Sequence, residues 1–138
     1  MKRNATAVWA GSLKEGAGKL TTQSNVLSNT QYSFKTRFED GNGTNPEELI
    51  AAAHAGCFTM QLTAYINEAG YDVASIETKC DIDFQDGSVV SSHLSVIARI
   101  DKIETDEFQQ LVTKAETTCP ISRLLNTAIS SNATLVRS

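Results

Sequence analysis

The sequence has no cysteine pair at CxxC spacing, no cluster of basic residues and no apolar run behind its N-terminal charges. Each absence removes a class of function. Cys57, Cys80 and Cys119 are too scattered for a zinc site built from thiolates. His54 and His93 are the only histidines and form no metal-ligand pattern. Lysines and arginines are dispersed and the formal net charge is −4, which argues against a nucleic-acid footprint or an anionic membrane surface. Met1-Lys2-Arg3 carries two positive charges without a long apolar run behind them, so no secretory signal is expected. The expected setting is the cytosol, where an odd number of cysteines means free thiols. Composition is that of a folded protein, 41% hydrophobic and 20% charged, and residues 1–138 read as one domain with a real core.

What the chain does have is a long stretch without charge. From Leu49 to Asn67 there is no Asp, Glu, Lys or Arg. Gly43-Thr44 leads into it, and Asn45 is a good N-cap, with an oxygen for a free N–H of the first turn. Pro46 suits the first helical position. Glu47 and Glu48 fall where the helix dipole favours anions. Gly70 is the expected stop. A helix over about Pro46–Ala69 with no charged face is expected to be surrounded by protein. Its length permits a membrane span, but His54, Gly56, Thr59, Gln61, Thr63 and Asn67 speak against one.

The rest reads as strands, turns and shorter helices. Ala5–Ala10, Lys19–Val26 and Gln31–Arg37 form an expected meander, with turns at Gly16-Ala17-Gly18 and Ser28-Asn29-Thr30. Residues 39–43 form a flexible loop. Val73–Phe84 and Val89–Ile100 are longer strands joined by a hairpin at Asp86-Gly87. Thr105–Thr117 is an amphipathic helix, Cys119-Pro120 opens a short helix to about Ala128, and Ala133–Val136 is a last strand. The expected class is α+β, antiparallel sheets around a long buried central helix.

Chemistry centres on Cys57. A cysteine on an apolar helix is usually a packed one, but here a carboxylate shares the helix. Glu47 lies about 80° from the Cys57 face and Glu48 about 180°. Glu47 is also about 15 Å away along the axis, too far to touch the sulfur. A guanidinium is the natural bridge, holding a carboxylate on one edge and a thiolate on the other. Arg37, on the approach to the loop before the helix, is the candidate. Cys119 precedes a proline at a helix start, a place that lowers thiol pKa values. On the residues alone, either thiol attacks and the other resolves. Cys80 is read as core. His54, three residues before Cys57, is read as a packed histidine satisfied by the backbone, with a nucleophilic Cys57–His54 pair as the alternative.

Thr36-Arg37-Phe38-Glu39-Asp40, the stretch from Gly43 through Asn45-Pro46-Glu47-Glu48-Leu49 to Ala53-His54-Ala55-Gly56-Cys57-Phe58, and Cys119-Pro120-Ile121-Ser122 together resemble the OsmC/Ohr family. The match is closest to the OsmC branch and covers essentially the whole chain. That resemblance implies a thiol-dependent peroxidase of organic hydroperoxides that forms an intertwined homodimer with two active sites at the interface. It implies that Cys57 is the peroxidatic cysteine and Cys119 the resolving one. Arg37 and Glu47 match the family's arginine and glutamate. No metal, flavin or haem is implied. An external dithiol is the reductant, of dihydrolipoyl type in related members and so carried on a lipoyl-bearing protein. The competing expectation is a non-enzymatic, stress-induced dimer that binds a small apolar ligand.

Overall fold

The computed structural model describes residues 1–39 and 41–137, in two units that divide within the long helix, Met1–Leu49 and Ile50–Ser138. Asp40, in the middle of the expected 39–43 loop, lies outside the described residues.

In the first unit, β1 (Ala5–Ala10), β2 (Ala17–Thr22) and β3 (Thr30–Tyr32) form an antiparallel sheet in that order. Gly18 was expected in a turn but sits inside β2, opposite Trp9 on β1 and Tyr32 on β3. A Cβ there would lie 2.4 Å from the Tyr32 ring and 2.6 Å from the Trp9 ring. The glycine serves a close approach across the sheet, where those two rings meet edge to face at 5.5 Å.

The expected strand Gln31–Arg37 is corrected. It stops at Tyr32, and Phe34–Phe38 is a short helix, α1. Ser33 caps it reciprocally with Thr36. The Thr36 N–H donates to Ser33 Oγ at 3.2 Å, and the Ser33 N–H donates to Thr36 Oγ1 at 2.7 Å. Threonine takes the place of the usual Glu or Gln in this capping box, which hid the helix from the sequence pattern. Arg37 therefore stands on a helix, not at a strand end. The strand expected over Lys19–Val26 ends at Thr22, where turns with Asn25 and Asn29 at positive φ take over.

Helix α2 (Pro46–Glu68) begins as expected. Asn45 Oδ1 accepts the Glu48 N–H at 2.7 Å, while Asn45 Nδ2 donates to the Thr36 carbonyl at 3.0 Å and ties the helix start to α1. At the far end Gly70, with φ +96°, closes a Schellman motif. The Gly70 N–H bonds the Asn67 carbonyl and the Tyr71 N–H bonds that of Ile66.

In the second unit, β4 (Ser75–Gln85) and β5 (Ser88–Arg99) form the expected hairpin. Asp86 and Gly87 both have positive φ, as a tight two-residue turn requires. Helices α3 (Thr105–Thr118) and α4 (Pro120–Leu124) carry the chain back to β6 (Ala128–Val136). Two expectations are corrected here. The last helix ends at Leu124, and the last strand starts at Ala128. Strand β6 pairs with β5 in parallel, so this sheet is mixed and not wholly antiparallel. A two-helix crossover returns the chain to the same end of the sheet, and that makes the pairing parallel. The polar run Ser130-Ser131-Asn132 concealed the strand.

The core of this unit joins Phe58, Leu62 and Ile66 of α2, Leu94, Val96 and Ala98 of β5, and Phe108, Val112 and Ala115 of α3. Thr59 Oγ1 donates to Thr78 Oγ1 of β4 at 2.7 Å. Helix α2 is long and apolar enough to cross a membrane by length and composition. Within the chain it is not buried all round, contrary to expectation. His54, Phe58, Leu62 and Ile66 are its buried residues. Ala52, Gly56, Met60 and Ala64, about half a turn away, are exposed.

Candidate active site

Cys57 follows from the winding of α2. Its neighbour Phe58 enters the core, so Cys57 sits half-buried at the edge of the buried stripe. An open groove of about 480 Å³ passes it, lined by Ala53, Met60, Gln61, Ala64, Pro120 and Ile121. Cys119 is fully buried and is the N-cap residue of α4, with Pro120 in the first helical position. It stands against Cys57.

Burial pushes the Cys57 thiol above its ordinary value. The backbone N–H of Ile121 bonds its sulfur and pulls the other way, while the Cys119 thiol pushes further up. These groups alone leave Cys57 a weak acid. The chemistry the pair can do is still specific. Two free thiols side by side, one facing a groove and one buried behind it, suit attack by the first and resolution by the second.

Arg37 and Glu47 are also brought together, in the first unit. Arg37 Nε donates to Glu47 Oε1 at 2.8 Å, and Nη2 reaches the same oxygen at 2.7 Å. Glu47 Oε2 is buried with no hydrogen-bond partner among the described residues. Glu48 turns back instead, accepting from Thr44 Oγ1 at 2.7 Å. An apolar cavity of about 360 Å³, walled by Trp9, Tyr32, Phe34 and Phe38, borders Arg37.

His54 was expected to find a backbone partner. It finds two side chains. Nδ1 lies 2.6 Å from Ser92 Oγ on β5, and Nε2 lies 2.7 Å from Ser122 Oγ on α4. Both ring nitrogens are taken, so the alternative Cys57–His54 pair does not form. Burial lowers the His54 pKa from 6.5 and Glu116 opposes the shift, which keeps the ring neutral at pH 7. Cys80 joins the same cluster, 3.2 Å from Ser92 Oγ. Burial raises its pKa, Ser92 lowers it and Asp81 raises it. Sequence reasoning missed Ser92, Ile121 and Ser122. The last two stand in the Cys119-Pro120-Ile121-Ser122 run, where a signal was present. Ser92 gave none. Among the described residues, no group of three or more His, Cys, Asp or Glu is placed to hold a metal ion.

The sequence model of the family described as OsmC-like protein matches residues 39–133. The chain belongs to this family. It is 38% identical over 131 residues to the peroxiredoxin OsmC of Escherichia coli, covering 92% of each chain. It is 29% identical over 110 residues to the organic hydroperoxide resistance protein OhrB of Bacillus subtilis, covering 78% of this chain and 80% of the other. Solved structures agree in fold. An OsmC-like protein of unknown function from Vibrio cholerae superposes with a TM-score of 0.77 at 15% identity, covering 97% of this chain and 99% of that one. The crystal structure of OhrB from Bacillus subtilis gives 0.62 at 23% identity, covering 96% and 98%. The expected OsmC/Ohr assignment and the α+β class are thus borne out.

Proposed function

We propose that the chain is a thiol-dependent peroxidase that reduces organic hydroperoxides to alcohols by a two-cysteine cycle. The observation that carries this is a half-buried Cys57 facing the groove with the buried Cys119 thiol against it. The Cys57 thiolate attacks the oxygen distal to the organic group. The O–O bond breaks, the alkoxide leaves and takes up a proton, and Cys57 becomes a sulfenic acid. The Cys119 sulfur then attacks Cys57, forming the disulfide and releasing water. An external dithiol, carried on a lipoyl-bearing protein, restores both thiols by exchange in the cytosol. The cycle uses no metal, flavin or haem.

Cys57 needs a cation to work at neutral pH, because its immediate neighbours push its pKa up. Arg37, oriented by Glu47, supplies it in this reading. The groove beside Cys57 and the cavity beside Arg37 are mostly apolar. They favour an alkyl or fatty-acid hydroperoxide over hydrogen peroxide through burial of the organic group.

The working form is a homodimer with its two sites at the interface. Ala52, Gly56, Met60 and Ala64 form an exposed, uncharged line along α2, with Met60 76% exposed. A charge-free helix with a second apolar face suits the partner's surface.

The test is a peptide map of the reduced protein after one equivalent of cumene hydroperoxide, without added thiol. The expected product is a Cys57–Cys119 disulfide with Cys80 free. Unmodified thiols, or oxidation scattered over all three, overturn the reading. The raised Cys57 thiol favours a second reading, a dimer that binds a small apolar ligand and whose cysteines are only packed. That reading requires slow alkylation of Cys57 throughout the neutral range.

A further inference from the structure

We propose that His54 is a positioning residue for the second chemical step, acting through Ser122 to hold Cys119 within reach of Cys57. The proposal rests on the two-cysteine reading and extends it to a residue outside the reacting pair.

Helix α4 has little of its own to hold it. It is five residues long, and its N-cap, Cys119, makes no side-chain capping bond. A helix this short is not stable by itself. Its apolar anchorage is slight as well. Ile121 is only half-buried, Leu124 is 74% exposed, and Ser122 is the single buried residue. That buried side chain is the one bonded to His54 Nε2.

His54 is itself immobile. It is fully buried, one turn before Cys57 on the same helix, and its Nδ1 is fixed by Ser92 on the central strand of the sheet. The link therefore runs from a rigid strand, through the helix that carries Cys57, to the third residue after Cys119. On the other side of Cys119, Thr118 Oγ1 lies 2.6 Å from the Tyr65 hydroxyl of α2. Helix α3 has core side chains besides that bond. Helix α4 has the histidine. A slack first turn would let Cys119 drift from Cys57, and misplacement by about 1 Å costs on the order of a hundredfold in a reaction between two held groups.

The two ring nitrogens allow a selective test. A glutamine amide nitrogen mimics Nε2 and reaches toward Ser122. An asparagine amide mimics Nδ1 and reaches only toward Ser92. Single-turnover oxidation by cumene hydroperoxide is followed with dimedone present to trap sulfenic acid. Wild type is expected to form the disulfide with little dimedone adduct. Ser122→Ala and His54→Asn are expected to consume hydroperoxide within about twofold of the wild-type rate and to slow the disulfide step by at least about tenfold, with adduct on Cys57. His54→Gln is expected to recover most of that loss. Ser92→Ala is expected to lower the melting temperature and to slow resolution less than Ser122→Ala does, because the buried ring keeps its bond to Ser122.

A folded Ser122→Ala that closes its disulfide at the wild-type rate overturns the proposal. So does an equal slowing in Ser122→Ala and Ser92→Ala, which marks general loosening of the core. Failure of wild type to form the Cys57–Cys119 disulfide overturns the peroxidase reading itself, and this role of His54 with it.

Discussion

Arg37 places two of its N–H groups on a single oxygen of Glu47, and the second carboxylate oxygen has no hydrogen-bond partner among the described residues. A carboxylate that only neutralised the arginine would use both oxygens, in the usual forked arrangement. Here Glu47 orients the guanidinium from one side, and the proposed role is to aim it at a thiolate. Glu47→Gln keeps an acceptor oxygen but loses the charge, and kcat/KM for cumene hydroperoxide is expected to fall about tenfold or more. Arg37→Ala removes the cation, so the midpoint of Cys57 alkylation should rise above that of the wild-type protein. An alkylation profile identical to wild type removes Arg37 from the mechanism.

Cys119 is fully buried, so it meets Cys57 but not the bulk solution. Cys119→Ser should therefore spare the first oxidation and abolish the cycle. The sulfenic acid at Cys57 then persists and climbs to sulfinic acid under excess hydroperoxide. Intact mass should show additions of one and then two oxygen atoms on the peptide containing Cys57. Sustained turnover by Cys119→Ser with a dithiol reductant would count against resolution by Cys119.

Gly56 lies in the interior of a helix, where glycine destabilises by about 1 kcal/mol relative to alanine. Among the described residues nothing requires it, since a Cβ there meets none of their atoms within 4 Å. The proposed dimer supplies a reason, because small residues let a second surface approach. Gly56→Leu should weaken association at least about tenfold while leaving the far-ultraviolet spectrum of the folded chain intact. Light scattering over a dilution series measures this. A dimer of undiminished affinity would mean that the Ala52–Ala64 face is not the contact.

The long helix was legible because its caps are local. Asn45, Pro46 and Gly70 act within a few residues of themselves. The Asp86-Gly87 hairpin was legible for the same reason. Features set by distant partners were not, nor was one unusual local cap. Gly18 looked like a turn residue until Trp9 and Tyr32 closed over it. Helix α1 was missed because Thr36 replaced the expected Glu or Gln of a capping box, and with it the placement of Arg37 on a helix. The parallel pairing of β6 depends on where two helices return the chain. At the site, helical phase already favoured Glu47 over Glu48, and the structure bonds Arg37 to Glu47. The serine partners of His54 lie 38 and 68 residues away and left no periodic trace.

His54 also fixes the direction of an acid limb in stability. Burial holds its folded-state pKa below 6.5, and Glu116 only partly offsets this. As the pH falls, the unfolded chain takes up this proton before the folded one does. The contribution of the neutral ring is complete above pH 6.5 and declines as the pH drops below that value toward the folded pKa. Urea midpoints should fall between pH 7.5 and pH 5, and His54→Gln should flatten that limb even if it lowers stability overall. Cys80 acts at the other end. Its raised pKa means that stability is lost as the pH climbs through 9.0, where the unfolded thiol ionises first. An acid limb equally steep in His54→Gln would show that other groups control it, and that the buried ring between Ser92 and Ser122 is not what acid disrupts.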